Sequence, residues 1–129
     1  MSTRGKSQLG AIGEAAAAEY LAAKGFKIIA LNYARPYGEI DLVATKQGVV
    51  HFVEVKASKY YPDSAFLPEI RVNAKKVRNL KKICETYIRE SGLGDGQPWQ
   101  IDVISVILRD SGAIKQLKHI ENAVFEKGY

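Results

Sequence analysis

The sequence predicts an α/β fold in which a mixed sheet is flanked by helices. Residues 8–24 and 73–90 show helical periodicity, and five runs rich in β-branched and apolar residues separate or follow them. The second helical stretch lies between two such runs, which is typical of a crossover between parallel strands. A chain of 129 residues, 47% apolar and 26% charged, is long enough for one folded domain over residues 1–129.

The N-terminal part predicts a short basic arm and then a helix. Residues 1–7 are expected to be mobile, and the helix over residues 8–24 ends at Gly25. Apolar or small side chains cover most of the helix, so we expect it to pack on more than one side. Glu14 shares a stripe with Ala18 and Leu21. That acid either serves a site or only favours the helix dipole.

The rest of the chain divides into strands, loops and one more helix. In order, we predict a strand at 26–31, a loop at 32–38, strands at 39–45 and 49–56, a loop at 57–68, a helix at 73–90, a strand at 99–108, a turn at 110–112, a strand at 114–121 and a tail at 122–129.

The two central strands are expected to form a tight hairpin. Gln47-Gly48 suits a two-residue turn, because glycine adopts positive φ at little cost. That turn pairs Lys46 with Val49, and the same register places Asp41 opposite Glu54, with Lys56 on the same face as Glu54. A slip of one residue would put the two acids on opposite faces. An ordinary solvated hairpin face is the alternative interpretation.

The second central strand carries an unusual triplet. Val49-Val50 and Phe52-Val53 make this strand nearly all apolar, as in a strand buried on both faces. The triplet Glu54-Val55-Lys56 continues that strand. Charged groups are costly to bury unless they are used or paired. The neighbourhood therefore favours a functional site over a surface pair.

Basic and aromatic residues suggest where a polyanion could bind. The second helix has an apolar stripe of Val77, Leu80, Cys84, Tyr87 and Ile88, so Cys84 is interpreted as a core residue and not as a nucleophile. Five bases lie off that stripe: Lys75, Lys76, Arg78, Lys81 and Lys82. They form either a solvated face or a phosphate-binding ridge. Tyr60-Tyr61 beside Lys59 either stack on bases or pack the loop down.

Composition limits the compartment and the partners. The net charge of +5 is consistent with a polyanionic partner, and the single cysteine allows no internal disulfide, which fits the cytoplasm. No apolar run approaches the ~20 residues of a membrane span, so no membrane association is expected. Asp102 interrupts an apolar strand and is expected to accept hydrogen bonds from backbone or from a base such as Arg78. His51 and His119 are isolated in the sequence, without metal-ligand spacing.

Several motifs together resemble the uncharacterised bacterial YraN-type family. They are Gly13-Glu14, Asn32-Tyr33, Gly38-Glu39-Ile40-Asp41-Leu42, Phe52-Val53-Glu54-Val55-Lys56, Trp99 with Asp102, and Asn122-Ala123. The resemblance covers nearly the whole chain. It implies a restriction-endonuclease-like αβββαβ core, with a mixed central sheet flanked by helices, related to archaeal Holliday-junction resolvases.

The resemblance also implies a metal-dependent nuclease site. By position, Asp41 and Glu54 would bind Mg²⁺, with Mn²⁺ as an alternative, and the carbonyl of Val55 would be a further ligand. Lys56 would be the catalytic lysine, and Glu14 an additional acid from the first helix. The nucleic-acid-binding residues would be Lys59, Lys75, Lys76, Arg78, Lys81 and Lys82.

The expected substrate is DNA, branched or flapped, and a homodimer is an expected form. Two departures from the family pattern concern substrate contacts more than the metal site. Ala57-Ser58 stand where a basic residue often follows, and Gln100 stands where an arginine is common. A non-catalytic nucleic-acid-binding or protein-interaction module of the same fold is the alternative function.

Overall fold

The computed structural model describes residues 7–61 and 74–123. Its elements, in chain order, are α1 (Gln8–Ala23), β1 (Lys27–Arg35), β2 (Gly38–Lys46), β3 (Val49–Lys59), α2 (Ala74–Glu90), β4 (Trp99–Leu108) and β5 (Ile114–Ile120). Three predicted segments lie partly outside the described residues: residues 1–6 of the arm predicted at 1–7, residues 62–68 of the loop predicted at 57–68, and residues 124–129 of the tail predicted at 122–129. Residue 73, the predicted start of the second helix, also lies outside them.

The five strands form one mixed sheet in the order β1-β2-β3-β4-β5. Neighbouring strands pair antiparallel except β3 and β4, which are parallel over the whole of β4. The connection from β3 to β4 contains α2. The predicted α/β architecture and its crossover are confirmed.

Apolar side chains pack on both sides of this sheet. On one side, Leu42 and Val53 join residues of α1 in a buried cluster. On the other side, Ile40 and Phe52 join residues of α2 in a second cluster. Residues 52 and 53 are consecutive and fully buried. This two-sided burial explains the almost continuous apolar sequence of β3.

Helix α1 approaches the sheet closely because of a glycine. Its buried residues are Gly13, Ala16, Ala17 and Leu21. A Cβ atom added at Gly13 would lie only 2.6 Å from the Cβ of Ala57 in β3. The absence of a side chain at Gly13 therefore brings α1 against the strand that carries Glu54 and Lys56.

Two predicted loops are partly wrong. Residues 32–35 continue β1, which pairs with β2 as far as Arg35 and Gly38. The loop was predicted partly from Asn32, which lies within β1 with φ 51°. Asparagine tolerates this left-handed conformation better than most residues, so the strand continues through it. Residues 57–59 extend β3, because β4 continues alongside and pairs with them up to Leu108.

Helix α2 is fixed to the sheet by its apolar stripe and by its last turn. Val77, Leu80, Ile83, Cys84 and Ile88 are buried in one cluster. Burial raises the pKa of the Cys84 thiol above its usual range, which agrees with its interpretation as a core residue. At the end of the helix, Glu90 accepts a hydrogen bond of 2.8 Å from Tyr33 Oη and pairs with Arg35.

Candidate metal and nucleic-acid site

The predicted hairpin register between β2 and β3 is confirmed. Gln47 and Gly48 have φ of 52° and 81°, and Lys46 pairs with Val49. The ladder continues to Leu42 and Val53, where the regular pairing ends. Asp41 and Glu54 are the next residue on each strand. Each strand therefore carries one of the two acids directly after the last pair of the ladder.

Asp41 lies at a break in the alternation of β2. Ile40 packs on the α2 side of the sheet, whereas Leu42 packs on the α1 side, although side chains two apart normally share a face. The neighbouring strand is irregular at the same level, since Asn32 lies between the pairs of Leu31 with Leu42 and Tyr33 with Ile40. The local distortion accompanies a hydrogen bond of 2.8 Å from Val55 N–H to Asp41 Oδ2.

Glu54 projects toward α2 and lies beside two lysines. Its side chain is 17% exposed, and Oε2 lies 2.9 Å from Lys76 Nζ and 3.9 Å from Lys56 Nζ. Burial would lower the pKa of Lys76, but the hydrogen bond and charge of Glu54, with the charge of Asp41, raise it overall. We call Asp41, Glu54, Lys56 and Lys76 the acid–lysine cluster.

Glu14 lies on the other side of the sheet, on α1. It lines a cavity of about 290 Å³ together with Asn32 and Leu42. Leu42 follows Asp41 directly, so Glu14 is close in structure to the β2 irregularity while Glu54 and Lys56 face α2. Its participation in one site with those residues stays a prediction.

The donor chemistry of the cluster fits a hard divalent cation. Asp41 and Glu54 supply carboxylate oxygens, which Mg²⁺ prefers. Lys56 and Lys76 also bring positive charge to the Glu54 carboxylate, so a metal ion would compete with them for it. The Val55 amide is committed to Asp41. The predicted use of the Val55 carbonyl as a ligand is not tested by this bond.

The predicted phosphate-binding residues differ in their surroundings. On α2, Lys75, Arg78 and Lys82 are exposed, and Lys81 is partly buried. Lys76 turns inward to Glu54, and Lys59 Nζ lies 3.2 Å from Asp110. The exposed members form a positive face beside the acid–lysine cluster.

The two tyrosines after β3 differ from each other. The cations of Arg109 and Lys115 lie 5.4 and 5.0 Å from the ring centroid of Tyr60, so this ring packs against neighbours. Tyr61 is 57% exposed. Of the two, Tyr61 offers the freer surface for stacking.

Asp102 forms a buried network that the sequence did not predict in full. Its Oδ2 lies 2.7 Å from His51 Nδ1 and 2.9 Å from His119 Nε2, while Oδ1 accepts from Gln100 Nε2 at 2.8 Å and Asn122 N–H at 3.0 Å. Burial raises the pKa of Asp102, but these hydrogen bonds together hold it well below the usual range.

Two expectations about this network are corrected. The backbone donor is confirmed, but His51, His119 and Gln100 supply the side-chain partners. Arg78 is an exposed residue of α2. The histidines are not isolated, because parallel pairing of β3 with β4 and antiparallel pairing of β4 with β5 bring both beside Asp102.

The inward position of Lys76, toward Glu54, was not predicted from the sequence. The signal was present, because Lys76 lies four and seven residues before Leu80 and Ile83, which are both buried. That spacing places Lys76 at the edge of the apolar stripe and not on the opposite face. Its short distance to Glu54 follows from that placement.

These features define a class of protein. A mixed five-stranded sheet with two helices is consistent with a restriction-endonuclease-like core, and an acid lies beside a Glu-Val-Lys triplet on the adjacent strand. The chain belongs to Uncharacterised protein family UPF0102, whose sequence profile matches residues 13–106. The expected family membership is confirmed.

Curated relatives match over most of their length. A UPF0102 protein of Thermodesulfovibrio yellowstonii is 39% identical over 118 residues, covering 92% of this chain and 96% of the relative. One of Pelotomaculum thermopropionicum is 36% identical over 115 residues, covering 89% and 93%. One of Pseudothermotoga lettingae is 41% identical over 93 residues, covering 72% and 82%.

Neither helix of the described residues has the length and apolar character needed to cross a membrane.

Proposed function

We propose that this chain is a Mg²⁺-dependent nuclease that hydrolyses phosphodiester bonds in DNA, with branched or flapped DNA as the preferred form. The observation that supports this proposal is the position of Asp41 and Glu54 directly after the last β2–β3 pair, with Asp41 accepting from the Val55 amide and Lys56 beside Glu54. Two carboxylates and an amine at one place provide metal ligands and a group that acts on water or phosphate.

Asp41 and Glu54 would hold the cation, which when bound polarises the phosphoryl oxygens and lowers the pKa of water. Lys56 is 43% exposed on its side chain, so its ammonium can reach a substrate. It would orient the attacking water, remove a proton from it or pair with the phosphate. Glu14 would contribute a further acid from α1.

The exposed bases of α2 would hold the nucleic acid. Lys75, Arg78 and Lys82 face solvent on the helix that also places Lys76 beside Glu54. Such residues bind the phosphate backbone without reading the sequence. With one buried, unpaired cysteine, the chain suits the reducing cytoplasm, and we propose that location, with a homodimer as its assembled form.

A second candidate function is a nucleic-acid-binding or protein-interaction module without turnover. Its support is the Lys76–Glu54 pair, since the Lys76 ammonium already balances the carboxylate that a metal would need. A site satisfied by its own lysine can preserve the fold and the basic face without hydrolysis.

Cleavage assays on matched variants distinguish the two functions. Purified protein is incubated with linear, flapped and four-way-branched DNA, and with RNA, in Mg²⁺ or Mn²⁺. We expect wild type to cut DNA, and Asp41→Asn, Glu54→Gln and Lys56→Met to lose on the order of 10²-fold or more in rate. Glu85→Gln, an exposed acid on α2, is the control.

Three results contradict the nuclease. Undiminished cleavage by Glu54→Gln would identify a contaminating enzyme. Salt-dependent binding without cleavage in either metal would leave the binding module as the function. Absence of nucleic-acid binding altogether would exclude both the nuclease and the nucleic-acid-binding module, and would leave the protein-interaction module.

A further inference from the structure

A second group of metal-ligating side chains lies on the α1 side of the sheet. His51, Asp102 and Glu121 each offer one ligand atom, and these atoms all lie within 4.8 Å of one another. His51 packs edge-on against Phe26, a member of the α1-side cluster, with ring centroids 4.8 Å apart. The group is therefore separate from Glu54 and Lys56, which face α2.

A cavity borders two of these three residues. A cavity of about 310 Å³ is lined by His51, Gln100 and Glu121, with Lys46 and Gln47 at the hairpin turn. His51 and Asp102 are buried, whereas Glu121 follows β5 and is exposed. An ion entering the cavity would meet His51 and Glu121 on its wall. The buried carboxylate of Asp102 lies next to it, with Oδ2 2.7 Å from His51 Nδ1.

We propose that His51, Asp102 and Glu121 bind a transition-metal ion of the Zn²⁺ type, with water from the cavity completing the coordination. Imidazole nitrogen together with carboxylate oxygen suits Zn²⁺, whereas Mg²⁺ selects oxygen ligands and retains its waters. The metal would take the place of the hydrogen bond between His51 Nδ1 and Asp102 Oδ2, and the proton of that bond would be released to solvent.

The geometry requires only a small opening. His51 Nδ1 and Asp102 Oδ2 are 2.7 Å apart. Ligand atoms about 2.0–2.2 Å from Zn²⁺ in a tetrahedral site lie roughly 3.3 Å from each other, so this pair must separate by about half an ångström. Glu121 is exposed on a turn, and its ligand oxygen lies within 4.8 Å of the other two ligand atoms, so binding requires its side chain to come closer to them.

The surrounding donors would hold the Asp102 carboxylate in place as a ligand. Gln100 Nε2 and Asn122 N–H donate to Oδ1, and His119 Nε2 lies 2.9 Å from Oδ2. His119 is itself packed edge-on against Tyr20. Partners of this kind fix the orientation of a metal-binding carboxylate and commonly strengthen binding 10- to 100-fold.

Cobalt titration tests the site, because four-coordinate Co²⁺ absorbs visible light and substitutes for Zn²⁺. Metal-free protein is titrated with Co²⁺, followed by displacement with Zn²⁺ and by thermal unfolding with and without Zn²⁺. We expect one equivalent to bind with the tetrahedral spectrum and to raise the melting temperature. Glu121→Gln should weaken binding at least about tenfold with little effect on the metal-free fold.

Control variants separate this site from the acid–lysine cluster. Glu19→Gln, an exposed acid on α1, and the double variant Asp41→Asn with Glu54→Gln should bind Co²⁺ as wild type does. His51→Gln should abolish the Co²⁺ spectrum. No spectrum in wild type, or equal binding by Glu121→Gln and wild type, would overturn the proposal. The proposal would also be overturned if the double variant of Asp41 and Glu54 lost Co²⁺ binding while the variants of His51 and Glu121 kept it.

Discussion

The Lys76 ammonium lies 2.9 Å from Oε2 of Glu54 and also experiences the charge of Asp41. Lys76 comes from the first turns of α2, whereas the acids come from the two central strands. The cluster therefore contains its own cation. A metal that binds Asp41 and Glu54 has to displace this lysine or share the carboxylate with it.

Replacing Lys76 should raise metal affinity at the cluster. Lys76→Met removes the competing ammonium, and a partly exposed ion pair is worth at most about 1 kcal/mol, or roughly fivefold in affinity. Mn²⁺ binding followed by electron paramagnetic resonance measures the change. The exposed neighbour Lys75→Met is the control. Equal or weaker Mn²⁺ binding by Lys76→Met would show that the lysine does not compete.

The exposed bases of α2 should set the salt dependence of DNA binding. Each phosphate contact contributes about 0.9 to the slope of log K against log salt. Replacing Lys75, Arg78 and Lys82 with glutamine removes up to three phosphate contacts, so the slope should become shallower by up to about three times 0.9. Fluorescence anisotropy at several salt concentrations measures the slope. Lys27→Gln with Lys118→Gln, exposed on β1 and β5, is the control. If the α2 variant and the control variant gave equal slopes, the DNA would not bind at the exposed bases of α2.

Gly13→Ala should destabilise the protein although alanine favours helices. The new Cβ would lie 2.6 Å from the Cβ of Ala57, and overpacking costs about 1–3 kcal/mol, which exceeds the gain of about 1 kcal/mol in helix propensity. Urea unfolding should show a net loss of up to about 2 kcal/mol. Adding Ala57→Gly should recover part of it. Unchanged or higher stability in Gly13→Ala would refute the close contact.

Asp102→Ala should destabilise the fold severely. The change removes the buried carboxylate that four groups share as a hydrogen-bond partner: His51, His119, Gln100 and the Asn122 amide. Removing one partner of a buried charged network costs about 3–5 kcal/mol. Asp110→Ala, at an exposed turn, should stay within about 0.5 kcal/mol of wild type. Chemical denaturation of both variants measures the difference, and a similar stability would contradict the network.

Tyr33 should make stability depend on alkaline pH. Burial, together with the hydrogen bond to Glu90, raises the pKa of Tyr33 to about 12 from its ordinary value near 10. The protonated phenol stabilises the folded state, so its contribution is complete below pH 10 and is lost as pH rises through about 12. The stability difference between wild type and Tyr33→Phe should shrink over that range. A constant difference in urea unfolding would contradict this linkage.

Local sequence signals predicted much of this fold. Gln47-Gly48 fixed the hairpin and hence the register that brings Asp41 and Glu54 together, because a two-residue turn allows one pairing. Helical periodicity located α2 and the core position of Cys84. The loop predicted from residue 32 was wrong at its start, because Asn32, a residue type that favours loops, occupies an irregular position within β1.

The sequence alone therefore determined the set of elements, the hairpin register and the acid–Val–Lys triplet. These features depend on periodicity and on turns between residues that are neighbours in the chain. Only the tertiary structure decided that Lys76 turns inward to Glu54 and that His51 and His119 meet at Asp102. Those contacts join residues distant in the chain. They depend on how α2 crosses the sheet and on the β3–β4 register, and no local preference specifies either.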